Sequence, residues 1–409
     1  MAHAGVKVMG GVSAAAPRRR RSLVGPEVVA HPRVLLLLDS LVPGGAERST
    51  VAMLPYLVEA GIRPEVAYLH DRAGLQGEVE ALGLPLHDLS GDGGRRGWVR
   101  RTTALLERRR PDLVHTSLYE ADVCGRVAAM RQRVPVVSTL TTERYGADHL
   151  GDERLNPTKL RAAQLVDATT ARATRRLHAV SEHVADTMAD HLRYPRSRIE
   201  VVPRGRPATL AVEPDSLLRS RLRACLGLGR RPTVLAVARQ DRVKGLDRLV
   251  AALAEVRTVV PGIVLLVAGR KGDDSAALGR QVGGLGLEDA VRFLGHRSDV
   301  GVLLAASDVF VLPSRREGLP GSVLEAMAAG TPIVANDLPQ VREVVGPQEA
   351  RLVRCDDISA LAGAVVGLLS NREAARARAS RAQQRFLDHF TLDRVGEGMA
   401  EFYRRSLVV

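Results

Sequence analysis

The chain alternates short, wholly apolar runs with longer amphipathic stretches, and this alternation limits its possible folds more than any other feature. Residues 34–38 are all apolar, and a glycine-containing loop and a helical pattern to about residue 60 follow them. A strand without a polar face needs cover on both sides of its sheet, which is typical of parallel sheets. Further strands are predicted at residues 65–70, 85–89, 112–118, 135–140, 177–182 and 199–203, with helical patterns between most of them. Such a succession predicts a doubly wound α/β domain.

The same alternation restarts after a break at residues 204–231. Strands are predicted there at residues 233–238, 263–269, 291–295, 309–313 and 332–337. We therefore expect an α/β protein of two facing Rossmann-like, doubly wound parallel-sheet domains, with ligands in the cleft beyond the carboxyl ends of the strands. The predicted division is a disordered basic tail at 1–30, an N-terminal domain at 31–205, a C-terminal domain at 206–388, and a helix at 389–409 that returns to the N-terminal domain.

The positive charge of the chain does not indicate a nucleic-acid partner. The formal net charge is +13, but only four of the 59 basic residues are lysines: Lys7, Lys159, Lys244 and Lys271. An arginine excess spread along the chain indicates compositional bias, whereas a nucleic-acid interface clusters its charge on one face. Aromatic residues make up 3% of the chain, which leaves little material for stacking bases.

The cysteines and the apolar runs predict a cytoplasmic location. Cys124, Cys225 and Cys355 are far apart and show no CxxC spacing, which favours a reducing compartment and no zinc site. No apolar run approaches the roughly 20 residues that cross a bilayer, and residues 1–30 lack the apolar stretch of a secretory signal. Weak adhesion to a membrane surface is the alternative to simple disorder for the basic tail.

The most informative segment is residues 313–332, which read PSRREGLPGSVLEAMAAGTP. A strand ends at its first residue, a proline suits the first helical turn, and a glycine closes the helix. The free amides at the helix start, which Gly321 leaves open to close approach, form a seat for a phosphate. Glu317 precedes this seat and Glu325 lies about one turn inside the helix, so both carboxylates can accept hydrogen bonds from sugar hydroxyls. Taken alone, the two glutamates would be an ordinary loop residue and an ordinary solvated helix residue.

A basic pair follows the first strand of the second half, where residues 238–247 read ARQDRVKGLD. Two fixed cations there, Arg239 and Lys244, can stabilise the charge that develops on a departing anionic group without proton transfer. A solvated turn is the alternative. Lys244 stands in a chain that uses arginine almost everywhere else, which favours a specific role.

The first half carries weaker signals at the ends of its strands. Gly44 and Gly45 follow the first strand, where the backbone can approach a phosphate or an acceptor closely, although a plain tight turn has the same sequence. Ser117 can position a sugar hydroxyl through hydrogen bonds. His115 is either a site residue or a packed, hydrogen-bonded core histidine. After the next strand, Glu143 and Arg144 are predicted to line the acceptor side or to lie in a surface loop.

These segments resemble glycosyltransferase family 4, the retaining enzymes of the two-domain GT-B fold. The family's E-x7-E signature is similar to EGLPGSVLEAMAAGTPIVA with the preceding VFVLPS. The family's R-x4-KG segment is similar to ARQDRVKG. HAVSEH and VVPRG resemble the family's "vSe" and "ipnG" segments, so the resemblance runs from about residue 33 to 405. The chain departs from the family at Ser117, where a second histidine is usual, and at Gln340, where a glycine is usual. Glu343 falls where the family has a glutamate, and its role is left open.

The resemblance implies that a hexosyl or N-acetylhexosaminyl group is transferred from a nucleoside-diphosphate sugar, held by the C-terminal domain, to an acceptor hydroxyl held by the N-terminal domain. It implies that Arg239 and Lys244 bind the diphosphate, which takes the acceptor proton itself. Glu317 would then orient the transferred sugar and Glu325 would hold the ribose. The implied catalytic residues are Glu317, Ser117 and His115, and the implied donor-binding residues are Arg239, Lys244, Gly318, Leu319, Gly321, Ser322, Glu325, Gly44 and Gly45. We expect no cofactor and no metal, because two cations and a helix start already offset the diphosphate charge and no D-x-D ends a predicted strand.

Several alternatives stay open at this point. A GT-B sugar phosphorylase or disaccharide synthase would share the fold, and a basic polyanion-binding module would be the non-enzymatic alternative. The acceptor is a lipid-linked molecule, an oligosaccharide or a small molecule, in cell-surface glycan or glycolipid assembly or in secondary-metabolite biosynthesis. One helix carries arginines that favour either peripheral contact with the inner face of the membrane or an ordinary solvated face. They are Arg95, Arg96, Arg100, Arg101, Arg108, Arg109 and Arg110.

Overall fold

The computed structural model describes residues 30–146, 156–211 and 216–408, which contain two parallel β-sheets. The strands of the first sheet are β1 (Arg33–Leu38), β2 (Arg63–Tyr68), β3 (Leu86–Asp88), β4 (Leu113–Ser117), β5 (Val136–Leu140), β6 (Arg176–Ala179) and β7 (Ile199–Val201). They pair in the order β3-β2-β1-β4-β5-β6-β7. The five residues after the first of β1 are all buried, as a strand covered on both faces requires.

The second sheet repeats this arrangement with six strands. They are β8 (Thr233–Val237), β9 (Val264–Ala268), β10 (Val291–Gly295), β11 (Val309–Leu312), β12 (Ile333–Asn336) and β13 (Arg351–Val353). Their order is β10-β9-β8-β11-β12-β13. The two sheets confirm the predicted fold class of paired Rossmann-like, doubly wound domains.

Helices connect the strands and cover the sheets. The helices of the first half are α1 (Gly45–Glu59), α2 (Gln76–Ala81), α3 (Gly94–Arg109), α4 (Tyr119–Gln132), α5 (Pro157–Ala171) and α6 (Glu182–Leu192). Those that follow are α7 (Ser216–Cys225), α8 (Leu246–Val259), α9 (Ser275–Gly284), α10 (Val300–Ala306), α11 (Gly321–Ala328), α12 (Pro339–Val344), α13 (Ile358–Ser370), α14 (Arg372–His389) and α15 (Leu392–Leu407). In the described part of the chain, none of the helices combines the length and the apolar character needed to cross a membrane.

Four elements were not predicted from the sequence: β13, α7, α12 and α13. β13 has three residues, of which one is buried, so it lacks an apolar run. α13 did carry a signal, since its buried residues Leu361, Val365 and Leu368 recur at helical spacing. The strand predicted at 177–182 ends at Ala179, because Ser181 caps α6 by accepting a hydrogen bond from the Val184 N–H at 3.3 Å. The predicted basic tail lies outside the described residues except for residue 30.

The chain crosses between the two sheets twice, and the two crossings run side by side. The first follows β7 and passes through Arg206, and the second joins α14 to α15 at Thr391. The Arg206 N–H donates to the Phe390 carbonyl at 2.9 Å, and the Leu392 N–H donates to the Arg206 carbonyl at 3.0 Å, which forms a short parallel bridge. Backbone hydrogen bonds therefore hold the two connections together at the base of the cleft.

The last helix packs on the first sheet, although the chain has just left the second. Met399, Phe402 and Tyr403 of α15 belong to the apolar cluster that includes Leu36 of β1 and Leu54 of α1. Phe402 and Tyr403 are fully buried. This helix therefore completes the core on one face of the first sheet and ties the end of the chain to it.

We expect Phe402→Ala to lower the free energy of unfolding by about 3–5 kcal/mol, because truncation of a buried phenylalanine removes apolar contacts and leaves a cavity. Urea unfolding followed by circular dichroism measures the loss. The matched control is Phe293→Ala on β10, where the side chain is 38% exposed and a clearly smaller loss is expected. Equal losses in the two variants would contradict the role given to α15.

Candidate active site

The sequence motifs lie at the carboxyl ends of the two central strands of each sheet. Gly44 and Gly45 follow β1, and Ser117 ends the neighbouring β4. Lys244 follows β8, and Glu317 follows the neighbouring β11. The strand order reverses between the members of each pair, which opens a crevice for ligands at that edge of the sheet. The fold thus brings all four motifs to the cleft.

An ion pair joins the two motif loops of the second sheet. Lys244 Nζ lies 2.7 Å from Glu317 Oε1, and the side chains are only 24% and 11% exposed. Gly245 has a φ of +65°, and a Cβ at this position would collide with the carbonyl oxygen of Pro313 at the end of β11. Only glycine fits both requirements, which explains the Lys-Gly pair in physical terms.

Arg315 links the same two loops, and it was not identified from the sequence. Its guanidinium binds both carboxylate oxygens of Asp247 on α8, at 2.8 and 2.6 Å, and also donates to the Arg242 carbonyl at 2.7 Å. Its backbone N–H donates to the Val243 carbonyl at 2.9 Å. A bidentate arginine–carboxylate pair fixes direction as well as distance, so Arg315 holds Lys244 and Glu317 in register.

The start of α11 has no side-chain cap, and the guanidinium of Arg206 lies directly against Gly321. The helix begins at Gly321 and Ser322, directly after Pro320, and no side chain caps its first amides. Leu319, just before it, is 2% exposed. The free amides and the helix dipole both favour negative charge here. Glu325, one turn into the helix, accepts a hydrogen bond from Arg206 Nε at 2.7 Å, so the carboxylate expected at a ribose is paired with an arginine of the first crossing.

Arg239 and Glu47 complete the charged lining of the cleft. Arg239 Nη2 lies 2.7 Å from Asp241 Oδ2, but 55% of its side chain is exposed, so much of the guanidinium is available to a ligand. Burial raises the pKa of Glu47 at the start of α1. Three nearby arginines act against this, with the largest effect from Arg204 and smaller effects from Arg270 and Arg239. Residues from both sheets thus share one electrostatic environment.

A cavity of about 50 Å³ lies between the first-sheet motifs and α15. Its polar wall contains Ser49, Ser117, Thr141 and Arg204, and its apolar wall includes Met399. Ser117 is 7% exposed at the end of β4. The cavity offers hydroxyl groups beside an apolar surface, which suits part of a sugar or of an acceptor.

A chain of hydrogen bonds fixes His115 and determines its tautomer. His178 Nε2 lies 2.8 Å from the Val202 carbonyl, which can only accept, so this nitrogen carries the proton and Nδ1 accepts from Thr139 Oγ1 at 2.9 Å. Thr139 Oγ1 then accepts from His115 Nε2 at 2.5 Å, and His115 Nδ1 accepts from the Tyr403 hydroxyl at 2.7 Å. The donor and the acceptor of each hydrogen bond in this chain are determined by the bond before it.

His115 is therefore already engaged at both nitrogens. Burial, and after it the neighbouring His178, lowers the pKa of His115 to about 3, and burial likewise lowers the pKa of His178 to about 4. Both rings are neutral near neutral pH. The geometry favours the packed, hydrogen-bonded interpretation of His115 over a role in proton transfer.

Arg144 is largely buried, with its side chain 13% exposed, so it does not fit an open surface loop, and its place on the acceptor side stays a prediction. Its Nη1 is 3.0 Å from Asp122 Oδ2, beside an ion pair of 2.6 Å between Arg126 and Asp167. Asp122, Arg126 and Asp167 are fully buried. Tyr145 donates to Asp167 at 2.8 Å. Buried charges need partners, and this balanced cluster anchors the loop that follows β5.

Glu143 of the same loop faces α6 rather than open solvent. Its oxygens lie 3.7 Å from His183 Nε2 and 3.6 Å from His191 Nε2, and its side chain is 19% exposed. The loop is therefore held by the first domain at two consecutive residues.

The two domains touch at the glutamate loop of the second sheet. The Ser181 hydroxyl donates to the Gly318 carbonyl at 3.0 Å. A Cβ on Gly318 would collide with the Thr141 carbonyl oxygen, so only glycine allows this approach. Glu317 therefore sits directly beside the first domain.

Glu343 makes a second contact across the cleft. Its two oxygens accept the backbone N–H groups of Glu182 and His183, the first residues of α6, at 2.7 and 2.9 Å. A carboxylate at a helix N-terminus satisfies free donors and complements the dipole. Arg385 donates to the carbonyls of Val344 and Glu343 at 2.8 and 3.0 Å, which fixes α12. Glu343, whose role the sequence left open, thus belongs to the second domain and caps helix α6 of the first domain.

The arginines of α3 divide into two groups. Arg95 binds Glu120 at 2.6 Å, Arg109 binds Glu65 at 2.8 Å, and Arg101 donates to three carbonyls of the preceding loop, at 2.8–3.0 Å. The remaining side chains are exposed: Arg96, Arg100, Arg108 and Arg110. The second group is the more available for an external contact, although the side chain of Arg95 is also 52% exposed.

Two family models match the chain. "Glycosyltransferase Family 4" matches residues 43–209, and "Glycosyl transferases group 1" matches residues 220–385. The first match covers the N-terminal half with Gly44, Gly45 and Ser117, and the second covers Lys244 and the glutamate loop.

Relatives and solved structures agree with these matches. The chain is 30% identical to the 2-deoxystreptamine N-acetyl-D-glucosaminyltransferase of Streptomyces fradiae, over 82% of this chain and 83% of that one. It is 31% identical to a GDP-mannose-dependent alpha-(1-6)-phosphatidylinositol monomannoside mannosyltransferase of Mycobacterium tuberculosis, over 51% of this chain and 57% of the other. The structure of HepE from Anabaena in complex with UDP-glucose superposes with a TM-score of 0.81 and 24% identity, over 92% of this chain and all of the other.

We expect His115 to make the stability of the protein depend on pH. In the unfolded chain its pKa is about 6.5, while in the folded protein it is about 3. The unfolded state therefore binds a proton first as the pH falls, and the contribution of His115, complete above about pH 6.5, declines by about 1.4 kcal/mol per pH unit below it. Urea midpoints of the parent and of His115→Gln between about pH 7 and 5 measure the difference. If the urea midpoints of both proteins fell equally with falling pH, the neutral, buried state of His115 would be contradicted.

We expect Glu343→Ala to open the cleft, because two helix-terminal N–H groups lose a charged acceptor. Hydrogen bonds to charged groups contribute about 1.5–3 kcal/mol each, so the net loss of even one should lower the ratio of closed to open protein about 10- to 100-fold. Small-angle X-ray scattering of the unliganded protein would show a larger radius of gyration. Glu373→Ala, in the exposed first turn of α14, is the matched control, and identical scattering from both variants would refute the capping role.

Proposed function

The chain belongs to the GT-B glycosyltransferases of family 4, and on this premise we propose that it transfers a sugar from a nucleoside-diphosphate donor to an acceptor hydroxyl with retention of anomeric configuration. The observation that carries the proposal is the Lys244–Glu317 pair at 2.7 Å beside the uncapped start of α11. This arrangement provides a cation, a sugar-binding carboxylate and an anion seat within one cleft.

The donor half supports the binding of a diphosphate. Lys244 and Arg239 come from the loop after β8, and the amides of Gly321 and Ser322 come from the loop after β11. Fixed cations and helix amides stabilise the negative charge that a departing diphosphate gains. Because these groups carry the charge compensation, we propose that transfer requires neither a metal nor a cofactor.

Glu317 and Glu325 are proposed to bind sugar hydroxyls at the two ends of the diphosphate. Glu317 would orient the transferred sugar, and Glu325 would hold the ribose. Without a ligand, each carboxylate is paired with a cation, Lys244 or Arg206, at 2.7 Å. Each carboxylate has a second oxygen with which it can accept a hydroxyl hydrogen bond while it keeps its cation.

The proton of the acceptor is proposed to pass to the donor phosphate. The bond between the anomeric carbon and the β-phosphate oxygen breaks with its electron pair on the phosphate. The acceptor oxygen then bonds to the anomeric carbon on the same face, and its proton moves to the departing diphosphate. This route suits a site in which Ser117 brings no charge and both nitrogens of His115 are engaged.

The acceptor is proposed to enter from the first domain, along the cavity that Ser117 and Thr141 line. The name of the Streptomyces fradiae relative, which covers most of this chain, supports a small-molecule acceptor in secondary metabolism. The name of the Mycobacterium tuberculosis mannosyltransferase supports a glycolipid. For a glycolipid, the exposed arginines of α3 could contact anionic lipid from the cytoplasmic side of the membrane.

We expect the purified protein to release a nucleoside diphosphate from one of the UDP-, GDP-, ADP- or dTDP-sugars in the presence of aminocyclitol, oligosaccharide or glycolipid acceptors. Lys244→Met should lower kcat/KM by about 100-fold or more, because loss of one group that stabilises developing charge costs about that much. Lys159→Met, on the exposed face of α5, is the matched control with unchanged activity.

NMR of the product tests retention directly, since its anomeric configuration should equal that of the donor. An inverted product would refute the proposed stereochemistry. Cleavage that depends on inorganic phosphate and occurs without transfer would instead favour a phosphorylase.

A further inference from the structure

Arg204, in the first crossing between the domains, differs from the other cations of the cleft. Lys244, Arg239 and Arg206 each have a carboxylate at 2.7 Å. Within the described residues, no carboxylate lies within 4.0 Å of the Arg204 guanidinium, and its hydrogen bond is a long one of 3.4 Å from Nη1 to the Leu319 carbonyl. Arg204 also stands at the fourth position of the VVPRG segment, before a glycine, where the resembled "ipnG" segment has a neutral residue.

The surroundings of Arg204 leave its charge incompletely compensated. Burial, and after it the neighbouring Arg206, lowers the pKa of Arg204 to about 10. Glu317 and Glu47 act in the opposite direction, but from a distance. A cation taken out of water is costly unless a partner compensates its charge. This environment therefore suits an anionic ligand beside Arg204.

The position of Arg204 indicates where such an anion would lie. Its Nη1 approaches the Cα of Gly45, 3.0 Å from where a Cβ would stand, and it binds Leu319 two residues before α11 begins. On one side it therefore borders the glycine turn after β1, and on the other the uncapped start of α11. Lys244 and Arg239 belong instead to the loop after β8, and Lys244 is paired with Glu317 of the loop that leads to α11.

Of the common anions, phosphate fits this position best. A guanidinium offers several N–H donors in a fixed fork that matches phosphate oxygens. Helix amides and a glycine turn add donors that reach a phosphate closely. The cavity beside Arg204 adds the hydroxyls of Ser49, Ser117 and Thr141.

We propose that Arg204 is a phosphate ligand in the cleft, and that it binds the donor diphosphate from the side opposite Lys244 and Arg239. The inference rests on the proposed function and adds a residue to it. Arg204 then replaces its weak contact with the Leu319 carbonyl by a charged partner, and it stabilises the electron pair that the leaving diphosphate retains. A phosphate on the acceptor has the same chemistry and would approach Arg204 from the cavity instead.

Calorimetric titration of Arg204→Met tests the proposal with UDP, GDP, ADP and dTDP, each beside its monophosphate and its nucleoside. For the base that the parent protein binds, we expect the Kd of the diphosphate to rise about 10- to 100-fold, the cost of one hydrogen bond between charged groups. The Kd of the nucleoside should stay unchanged. Arg204→Lys should recover part of the loss, since it keeps the charge but not the fork.

Arg257→Met is the matched control, because Arg257 pairs with Asp289 on the exposed surface of the second domain. Thermal unfolding of each variant identifies any loss of fold, and Arg204→Lys keeps the test valid if Arg204→Met does not fold. Unchanged diphosphate affinity in both Arg204 variants would refute the donor assignment.

Titration of inorganic phosphate in the presence of saturating nucleoside diphosphate distinguishes the two sources. Phosphate binding that the parent retains and Arg204→Met loses, with unchanged diphosphate affinity, would assign Arg204 to an acceptor phosphate. No difference in either titration would overturn the inference and leave the proposed function intact. A parent protein that binds none of the diphosphates would overturn both.

Discussion

The contact between Lys244 and Glu317 links the loops that follow the two central strands of the second sheet, and the arrangement of the site depends on it. The contact is possible because β8 and β11 are neighbours at the point where the strand order reverses. Gly245 lets the first loop pass against the end of β11, and Arg315 holds the two loops together. A lysine, a carboxylate and a helix start thus converge although they come from separate βα units. Few side chains are needed, because the topology already brings the loops together.

Much of the fold, and the meeting of the motif loops at one cleft, could be predicted from the sequence, because both depend on local patterns. Wholly apolar runs such as 34–38 identify buried parallel strands, and glycine next to Lys244 or Glu317 marks a turn that approaches other backbone. What the sequence could not provide were the partners of polar residues that meet only in three dimensions. Arg206 lies 119 residues from Glu325, and Tyr403 lies 288 residues from His115. Neither pair has a local signal, and in an arginine-rich chain Arg206 did not stand out.

The first domain shows how a departure from a family pattern can coexist with a rigid site. Ser117 stands where a second histidine is usual, while His115 belongs to a hydrogen-bond chain that ends on α15. That chain ties the first-domain side of the cleft to the last helix of the protein, and a buried cluster of two aspartates and two arginines fixes the neighbouring loop. These contacts restrain the loop, although Arg126 Nη2 and Arg144 Nη2 have no hydrogen-bond partner among the described residues. The first domain therefore presents fixed walls, and differences in acceptor are expected to arise from the side chains that project from them.

The cap that Glu343 places on α6 depends on the main-chain amides of residues 182 and 183 and not on their side chains. Any amino acid except proline supplies such an amide. Mutations at these two positions therefore need no compensating mutation at Glu343, and the positions can drift independently during evolution. Methods that infer contacts from correlated substitutions would not detect this hydrogen-bonded contact between the domains, even where it is retained across many relatives.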